Sequence, residues 1–226
     1  MPRESLDRHM HQLEDEILLL GSMVEQATVH SMEALRNRDT KLAHNLLKMD
    51  RAINEKRFAI ENGILILMAT QQPMAHDLRL LAAMLEVSTE LERMGDYAKG
   101  TGKSILRMGD TPTPIPLRDL EHMAELGISM LHEALGAFVS ENAALAYQIP
   151  RGDDEVDALY ERVYQALVAA MIANPEVIDH ANPIMWIAHN LERLADRVCN
   201  ICERTVFIAT GELLEFDTGE EEEETD

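Results

Sequence analysis

The sequence predicts an all-α protein made of two tandem three-helix bundles. Leu, Ala, Glu and Met, which favour helices, are abundant among the 226 residues, and aromatic residues account for only 4%. Apolar residues recur at helical spacing along most of the chain. A proline-rich segment, GDTPTPIP at residues 109–116, separates two halves that carry the same landmarks in the same order.

The first half predicts three helices. Apolar residues at i, i+4 and i+7 spacing mark one face of the first helix: Leu13, Ile17, Leu20, Val24 and Ala27. This helix is expected to end near Arg38, and Asp39 can cap the next one, which runs toward Gln72. Pro73 suits the first turn of a third helix. Together the three helices form a bundle over residues 1–108.

The second half repeats this plan after a linker at residues 109–116. Three helices are predicted, at residues 117–140, 141–173 and 176–209. Pro150 and Gly152 weaken the start of the middle helix, so a kink or a late start near Arg151 is expected. The second bundle therefore covers residues 117–210, and residues 211–226 form an acidic tail that is predicted to be disordered.

Charge and composition exclude several classes of protein. The formal net charge of −21 argues against a nucleic-acid binder, because little of the surface could attract phosphate. The sequence contains neither a signal-peptide pattern nor an apolar run of membrane-spanning length, so a cytoplasmic protein is expected. Cys199 and Cys202 are one helical turn apart, which favours reduced thiols over a redox or zinc site.

One acidic motif occurs twice, 100 residues apart. Leu-Glu-Arg-x-x-Asp places Glu92 one helical turn from Asp96, and the second copy places Glu192 one turn from Asp196. Like charges at this spacing repel each other on an isolated helix. The repetition therefore needs a reason.

The preceding helix of each half carries a matching pair. Asp50 and Asn54 lie one turn apart in the first half, as Asp153 and Asp157 do in the second. Asn54 and Glu92 are each 19 residues from Pro73, so antiparallel helices would bring them level. Two sets of candidate metal ligands follow: Asp50, Asn54, Glu92 and Asp96 in the first half, and Asp153, Asp157, Glu192 and Asp196 in the second.

Metal binding would relieve the repulsion within each set, because a cation lowers the energy of clustered carboxylates. Oxygen ligands suit iron, manganese or magnesium, and zinc is also compatible. Asn54 removes a charge from the first set, and His189 lies near the second, so the second set should hold metal more firmly. The alternative is a solvated helix face, in which Arg93 and Arg193 simply accompany the acidic residues.

The chain resembles the PhoU family of phosphate-uptake regulators. The resemblance rests on QQPMAHDLRLLAAMLEVSTELERMGDYA at residues 71–98 and NLERLADRVCNICE at residues 190–203. It implies two similar three-helix bundles and multinuclear metal clusters, which contain iron in some members. The family's E(D)-x-x-x-D motif matches three pairs here: Glu92 with Asp96, Asp153 with Asp157, and Glu192 with Asp196. The first-half pair Asp50 and Asn54 departs from it.

The resemblance also implies a role as a signalling adaptor rather than an enzyme. Such a protein acts between the ATPase subunit of a phosphate ABC transporter and a sensor histidine kinase, and it holds phosphate-starvation signalling off when phosphate is ample. It would be a homodimer that reaches the membrane only through its partners. Two other interpretations remain open: a carboxylate-bridged metal enzyme, and a helical interaction protein without metal.

Overall fold

Helices make up nearly all of the computed structural model, which describes residues 2–109 and 112–216. Within these ranges there are six long α-helices, one short α-helix, two short 3-10 segments and no strand. Their bounds are α1 Pro2–Asn37, α2 Thr40–Gln71, α3 His76–Met108, α4 Arg118–Val139, α5 Ala143–Ala146, α6 Asp153–Ala173 and α7 Ile178–Thr210. The prediction of an all-α fold is confirmed.

The long helices form two bundles that pack against each other. One bundle consists of α1, α2 and α3, and the other of α4, α6 and α7. The bundles meet along α3 and α7, which run antiparallel. Arg79 near the start of α3 donates to the Ile208 carbonyl near the end of α7, at 3.4 Å, whereas Gly100 lies beside Asn190 at the other end. Each repeat therefore contributes its third helix to the contact between the bundles.

The first bundle packs as the apolar pattern predicts. All five apolar residues that the sequence assigns to the inner face of α1 are buried. They pack in one core with buried residues of α2 and α3, including Ile53, Ile60 and Met84. Gly102 lets α3 approach α2 closely, because a Cβ atom there would lie 3.0 Å from the Ala43 carbonyl oxygen. Residues on α2 and α3 are thus brought within side-chain reach.

The connections in the first bundle confirm one prediction and correct another. The Asp39 carboxylate caps α2 by accepting hydrogen bonds from the backbone N–H groups of Lys41 and Leu42, at 2.9 and 3.0 Å. Pro73, by contrast, does not lie in the first turn of α3. Gln72 and Ala75 have φ angles of 49° and 48°, so the chain leaves the right-handed helical conformation on both sides of Pro73. It then enters α3 at His76.

The middle helix of the second half starts late, as predicted. Asn142 caps the short helix α5 by accepting from the Leu145 N–H at 3.1 Å. A 3-10 turn at Ile149–Gly152 follows, with Pro150 near its start, where a missing N–H is tolerated. The helix α6 then begins at Asp153. One of the predicted metal ligands is therefore the first residue of its helix.

After α7, residues 211–216 lie without helix against the second bundle. The Phe216 N–H donates to Glu203 at 2.8 Å, and the Phe216 ring meets Tyr147 edge-on with centroids 5.6 Å apart. The rest of the predicted disordered tail, residues 217–226, lies outside the described residues, as do residues 110 and 111 of the predicted linker. Among the described helices, none combines the length and apolarity that crossing a bilayer requires.

Candidate metal centres

The internal repeat gives each predicted site residue a counterpart in the other half. Positions in α3 correspond to positions 100 residues later in α7, as Glu92 does to Glu192. Positions in α2 correspond to positions 103 residues later in α6, as Asp50 does to Asp153. This register allows the two acidic clusters to be compared side chain by side chain.

In the first cluster, a lysine bridges the predicted ligands. The Lys99 ammonium donates to Asp50 at 2.9 Å and also to Asp96, so it joins a carboxylate of α2 to one of α3. Burial raises the pKa of Asp50, although Lys99 opposes the shift. Burial lowers the pKa of Lys99, but its hydrogen bonds to Asp96 and Asp50 outweigh this and raise it overall. The lysine is therefore a charged partner of both carboxylates.

The other two predicted ligands of the first cluster are placed differently. Burial and the negative charge of Asp96 raise the pKa of Glu92, and the nearby Arg57 guanidinium opposes the shift. Glu92 therefore lies within electrostatic reach of Asp50, Asp96 and Arg57. The amide of Asn54 donates to the backbone carbonyl of Asp50 at 3.1 Å, so this group is engaged by its own helix.

The second cluster contains buried carboxylate oxygens without partners. Asp153 is 3% exposed; its Oδ2 lies 3.7 Å from the Cys199 thiol, and within the described residues its Oδ1 has no hydrogen-bond partner. Glu192 Oε2 is also buried and lacks a hydrogen bond there, although His189 Nδ1 lies 3.4 Å away. Leaving such atoms unpaired costs about 1–3 kcal/mol each. The second repeat thus holds an uncompensated negative region.

Electrostatics shows that the four predicted ligands of the second repeat act on one another. Burial and the charges of Asp157 and Asp196 raise the pKa of Asp153 to about 7. Burial and Asp196 raise the pKa of Glu192 to about 7, against the opposing charge of Arg193. The pKa of Asp157 is raised by burial and by Asp196. Of these carboxylates, Asp153 is buried and Asp157 is exposed. The shifts arise because like charges lie close together and part of the cluster is shielded from water.

The side chains do not enclose an ion in their present rotamers. Among the described residues, no three His, Cys, Asp or Glu side chains are arranged closely enough to hold a metal. In the second cluster, Glu192 faces His189, and Asp196 accepts a hydrogen bond from Arg193 at 2.6 Å. A cation bound there would have to draw both side chains away from these contacts.

The two clusters therefore differ in how well they suit a metal. The second offers hard oxygen donors, two of them buried and unpartnered, and this donor set fits a divalent cation. The first does not fit as it stands, because the Lys99 ammonium already joins Asp50 to Asp96. Of the eight predicted ligands, seven face a carboxylate cluster, and the amide of Asn54 is turned to its own helix.

Sequence reasoning missed the residues that make the clusters unequal. In the register of the repeat, Lys99 corresponds to Cys199, and Arg57 corresponds to Tyr160. Two cations in the first repeat are thus replaced by groups that are neutral in the second, since burial raises the pKa of the Cys199 thiol and also that of Tyr160. A position-by-position comparison of the repeats contains this signal. Both cysteines are free and buried.

A tandem pair of three-helix bundles, each with an acidic cluster between its second and third helices, defines a class of α-helical repeat proteins. The chain belongs to the PhoU family, since the PhoU domain matches residues 17–105 and again residues 120–205. A phosphate-specific transport system accessory protein PhoU homolog from Clostridium acetobutylicum is 32% identical over 217 residues, covering 96% of this chain and 99% of the relative.

Solved structures agree with this assignment. The crystal structure of the phosphate transport system regulatory protein PhoU from Streptococcus pneumoniae matches with a TM-score of 0.87 and 32% identity, covering 93% of this chain and all of that chain. PhoU from Pseudomonas aeruginosa matches with a TM-score of 0.86 and 28% identity, covering 91% and 99%. The similarity extends over both repeats.

Proposed function

We propose that this protein is a metal-binding regulator of phosphate uptake and of phosphate-starvation signalling. The observation that supports the regulatory part is the family match in both repeats, together with relatives that are named accessory proteins of phosphate-specific transport. The protein would act in the cytoplasm as an adaptor between the ATPase subunit of a phosphate ABC transporter and a sensor histidine kinase.

The two unpartnered carboxylate oxygens of the second repeat support the metal-binding part. Asp153, Asp157, Glu192 and Asp196 would hold a divalent cation or a multinuclear cluster, with iron expected and zinc, manganese or magnesium compatible. The metal would supply positive charge to carboxylates that otherwise repel each other. Since Asp153 and Asp157 lie on α6 and the other two on α7, these residues would tie the two helices together.

A docking role for the metal-bound protein is favoured over catalysis. A catalytic metal needs a cavity that admits substrate beside it. Two surface cavities of about 530 Å³ lie elsewhere: one is lined by residues of α1 and α2 such as Leu13 and Ile66, and the other by Arg118, His122 and Arg162. We expect the protein to dock its partners as a homodimer, which light scattering in solution would measure.

Deleting the gene tests the regulatory role. Without the protein, alkaline phosphatase should be expressed even when phosphate is ample, and the wild-type gene should restore repression. Repression that persists in the deletion strain would reject the proposal. Restoring the gene with Glu192→Gln and Asp196→Asn separates the two parts of the proposal: full repression by this variant would mean that signalling does not need the metal.

A helical interaction protein without metal is the second candidate. The Lys99 bridge favours it, because it shows how an acidic cluster can be neutralised by the chain itself. Elemental analysis of protein purified without chelator decides between the two. Iron, manganese or zinc bound in proportion to the protein supports the first proposal, and metal-free protein that still restores repression supports the second.

A further inference from the structure

We infer that the Lys99 ammonium takes the place of a metal ion in the first acidic cluster, so that the chain binds metal only through its second repeat. This inference deepens the proposed function and rests on it for the metal of the second repeat. It assigns to Lys99 a role in determining where metal binds.

Lys99 makes the contacts that a bridging cation would make. Its Nζ donates to Asp50 on α2 and to Asp96 on α3, so one positive charge joins carboxylates of two helices. The Asp50 side chain is 10% exposed and the Lys99 side chain 23%, so this pair is largely shielded from water, whereas the Asp96 side chain is 45% exposed. Charge-assisted hydrogen bonds are strong in such surroundings. A metal could use Asp50 and Asp96 only after displacing this lysine.

The remaining charges of the first cluster act in the same direction. Its carboxylates are Asp50, Glu92 and Asp96; Lys99 donates to Asp50 and Asp96, and the Arg57 guanidinium lies within electrostatic reach of Glu92. Three carboxylates thus face the Lys99 ammonium and the Arg57 guanidinium, and Arg57 shares its charge with Glu61, to which it donates at 2.6 Å. Asn54 supplies no further negative charge. A divalent cation entering this cluster would find less uncompensated charge than in the second repeat.

In the second repeat, the equivalent positions leave the charge uncompensated. Cys199 lies 3.7 Å from Asp153 Oδ2, in the same relation as Lys99 to Asp50, but a neutral thiol cannot balance a carboxylate. Tyr160 stands where Arg57 stands in the first repeat. Against the four carboxylates of this cluster, the Arg193 guanidinium donates to Asp196, and the His189 ring lies 3.4 Å from Glu192. Asp153 Oδ1 keeps no partner within the described residues.

Metal stoichiometry of matched variants tests the inference. Chelator-treated protein would be titrated with Mn²⁺ and, separately under anaerobic conditions, with Fe²⁺, and the metal bound per chain would be measured by elemental analysis after removal of free ion. The double variant Glu192→Gln, Asp196→Asn should bind none of the metal that wild type binds. The equivalent first-repeat double variant, Glu92→Gln with Asp96→Asn, should bind as much metal as wild type.

A second set of variants isolates the lysine. Asn54→Asp alone restores the missing carboxylate but keeps Lys99, so the amount of bound metal should not change. Asn54→Asp combined with Lys99→Cys copies the second repeat at these two positions and leaves Arg57 in place. Asn54→Asp combined with Lys99→Met removes the ammonium without adding a sulfur ligand. Both double variants should bind more metal than wild type, and adding Glu92→Gln should abolish the gain. Lys103→Met, one turn further along α3, serves as the control and should change nothing.

The outcomes separate this inference from the proposed function. If the first-repeat changes remove metal, the first repeat binds metal, which overturns the inference and leaves the proposed function intact. Folded double variants that gain no metal also overturn it, because Lys99 is then not what excludes the ion. Wild type that binds neither Mn²⁺ nor Fe²⁺ overturns the metal-binding part of the proposed function together with the inference. Helical circular dichroism and thermal unfolding without metal establish that each variant is folded.

Discussion

Glu90 of α3 and Arg197 of α7 form an ion pair across the boundary between the two repeats, with Oε2 and Nη1 3.3 Å apart. Asn200 donates to the same carboxylate at 3.1 Å, and Arg93 donates at 2.8 Å. Burial lowers the pKa of Arg197, but Tyr97 and Glu90 outweigh this and raise it overall. Glu90 thus satisfies polar groups from both bundles at their interface.

Replacing Glu90 with Ala should destabilise the protein by about 3 kcal/mol, because the Arg197 side chain, only 16% exposed, would lose its carboxylate partner. Denaturant unfolding measures the loss. The control is Glu86→Ala, which removes a 57% exposed carboxylate paired with Arg204 and should cost less than about 1 kcal/mol. Equal losses for the two variants would contradict a special role for Glu90.

Two glycine substitutions should have opposite effects. Gly102→Ala should destabilise by about 1–3 kcal/mol, since the added methyl group would press on the Ala43 carbonyl oxygen at 3.0 Å and push α3 from α2. Gly136→Ala in α4 meets no atom within 4 Å and should stabilise by about 1 kcal/mol, because alanine favours helix. Thermal unfolding compares them. Stabilisation by both would mean that the α2–α3 contact yields easily.

The metal-free protein should be more stable at about pH 5.5 than at about pH 8. Asp153 and Glu192 have ordinary pKa values of 3.8 and 4.5, and the fold raises both to about 7. Between these limits the folded state binds more protons than the unfolded state. The stabilising contribution of the two groups is therefore complete below about pH 4 and is lost as pH rises through about 7.

Asp153→Asn identifies the source of this pH dependence. At about pH 8 the metal-free variant should be more stable than wild type by on the order of 2 kcal/mol, because it has no carboxylate to ionise at the buried position. Asp154→Asn removes an exposed neighbouring carboxylate whose charge adds to the raised pKa of Asp153, and it should reduce the slope only slightly. A slope that survives Asp153→Asn and Glu192→Gln together would assign the pH dependence to other groups.

Bound metal should reverse this dependence of stability on pH. A cation competes with protons for Asp153 and Glu192, so its affinity should fall as pH drops below about 7. Added Mn²⁺ should therefore raise the unfolding temperature more at pH 8 than at pH 5.5, and chelator should cancel the rise. Asp157→Asn should weaken Mn²⁺ binding by about 10-fold or more, equivalent to about 1.4 kcal/mol. An equal stabilisation at both pH values would place the Mn²⁺ elsewhere.

The parts of the fold that follow from local rules could be predicted from the sequence. Apolar spacing fixes the buried face of α1, the Asp39 carboxylate caps α2, and Pro150 delays α6 to Asp153. These features depend on residues a few positions apart. The predicted placement of Pro73 is wrong because the positive φ angles of Gln72 and Ala75, which reverse the chain between the two helices, do not follow from local sequence rules.

The clusters could be predicted only in part. Counting residues from the turn predicts which carboxylates lie at the same height on antiparallel helices. In the structure, the acidic residues of each half come close to one another. The hydrogen-bond partners of those carboxylates do not follow from counting, because a long Arg or Lys side chain can reach several acceptors. Arg93 pairs with Glu90, whereas its counterpart Arg193 pairs with Asp196. Lys99 likewise reaches back one turn and across to the neighbouring helix, and tertiary packing decides that choice.

The second repeat also contains its own optical reporter. Trp186 is the single tryptophan of the chain, and its ring meets the His189 ring edge-on with centroids 5.9 Å apart. His189 in turn faces Glu192 at 3.4 Å. A cation that withdraws Glu192 from His189 would alter the surroundings of the indole, so its fluorescence should follow filling of this site. The first repeat contains no tryptophan, so a quenching titration with the Glu192→Gln variant as a blank would report filling of the second-repeat site.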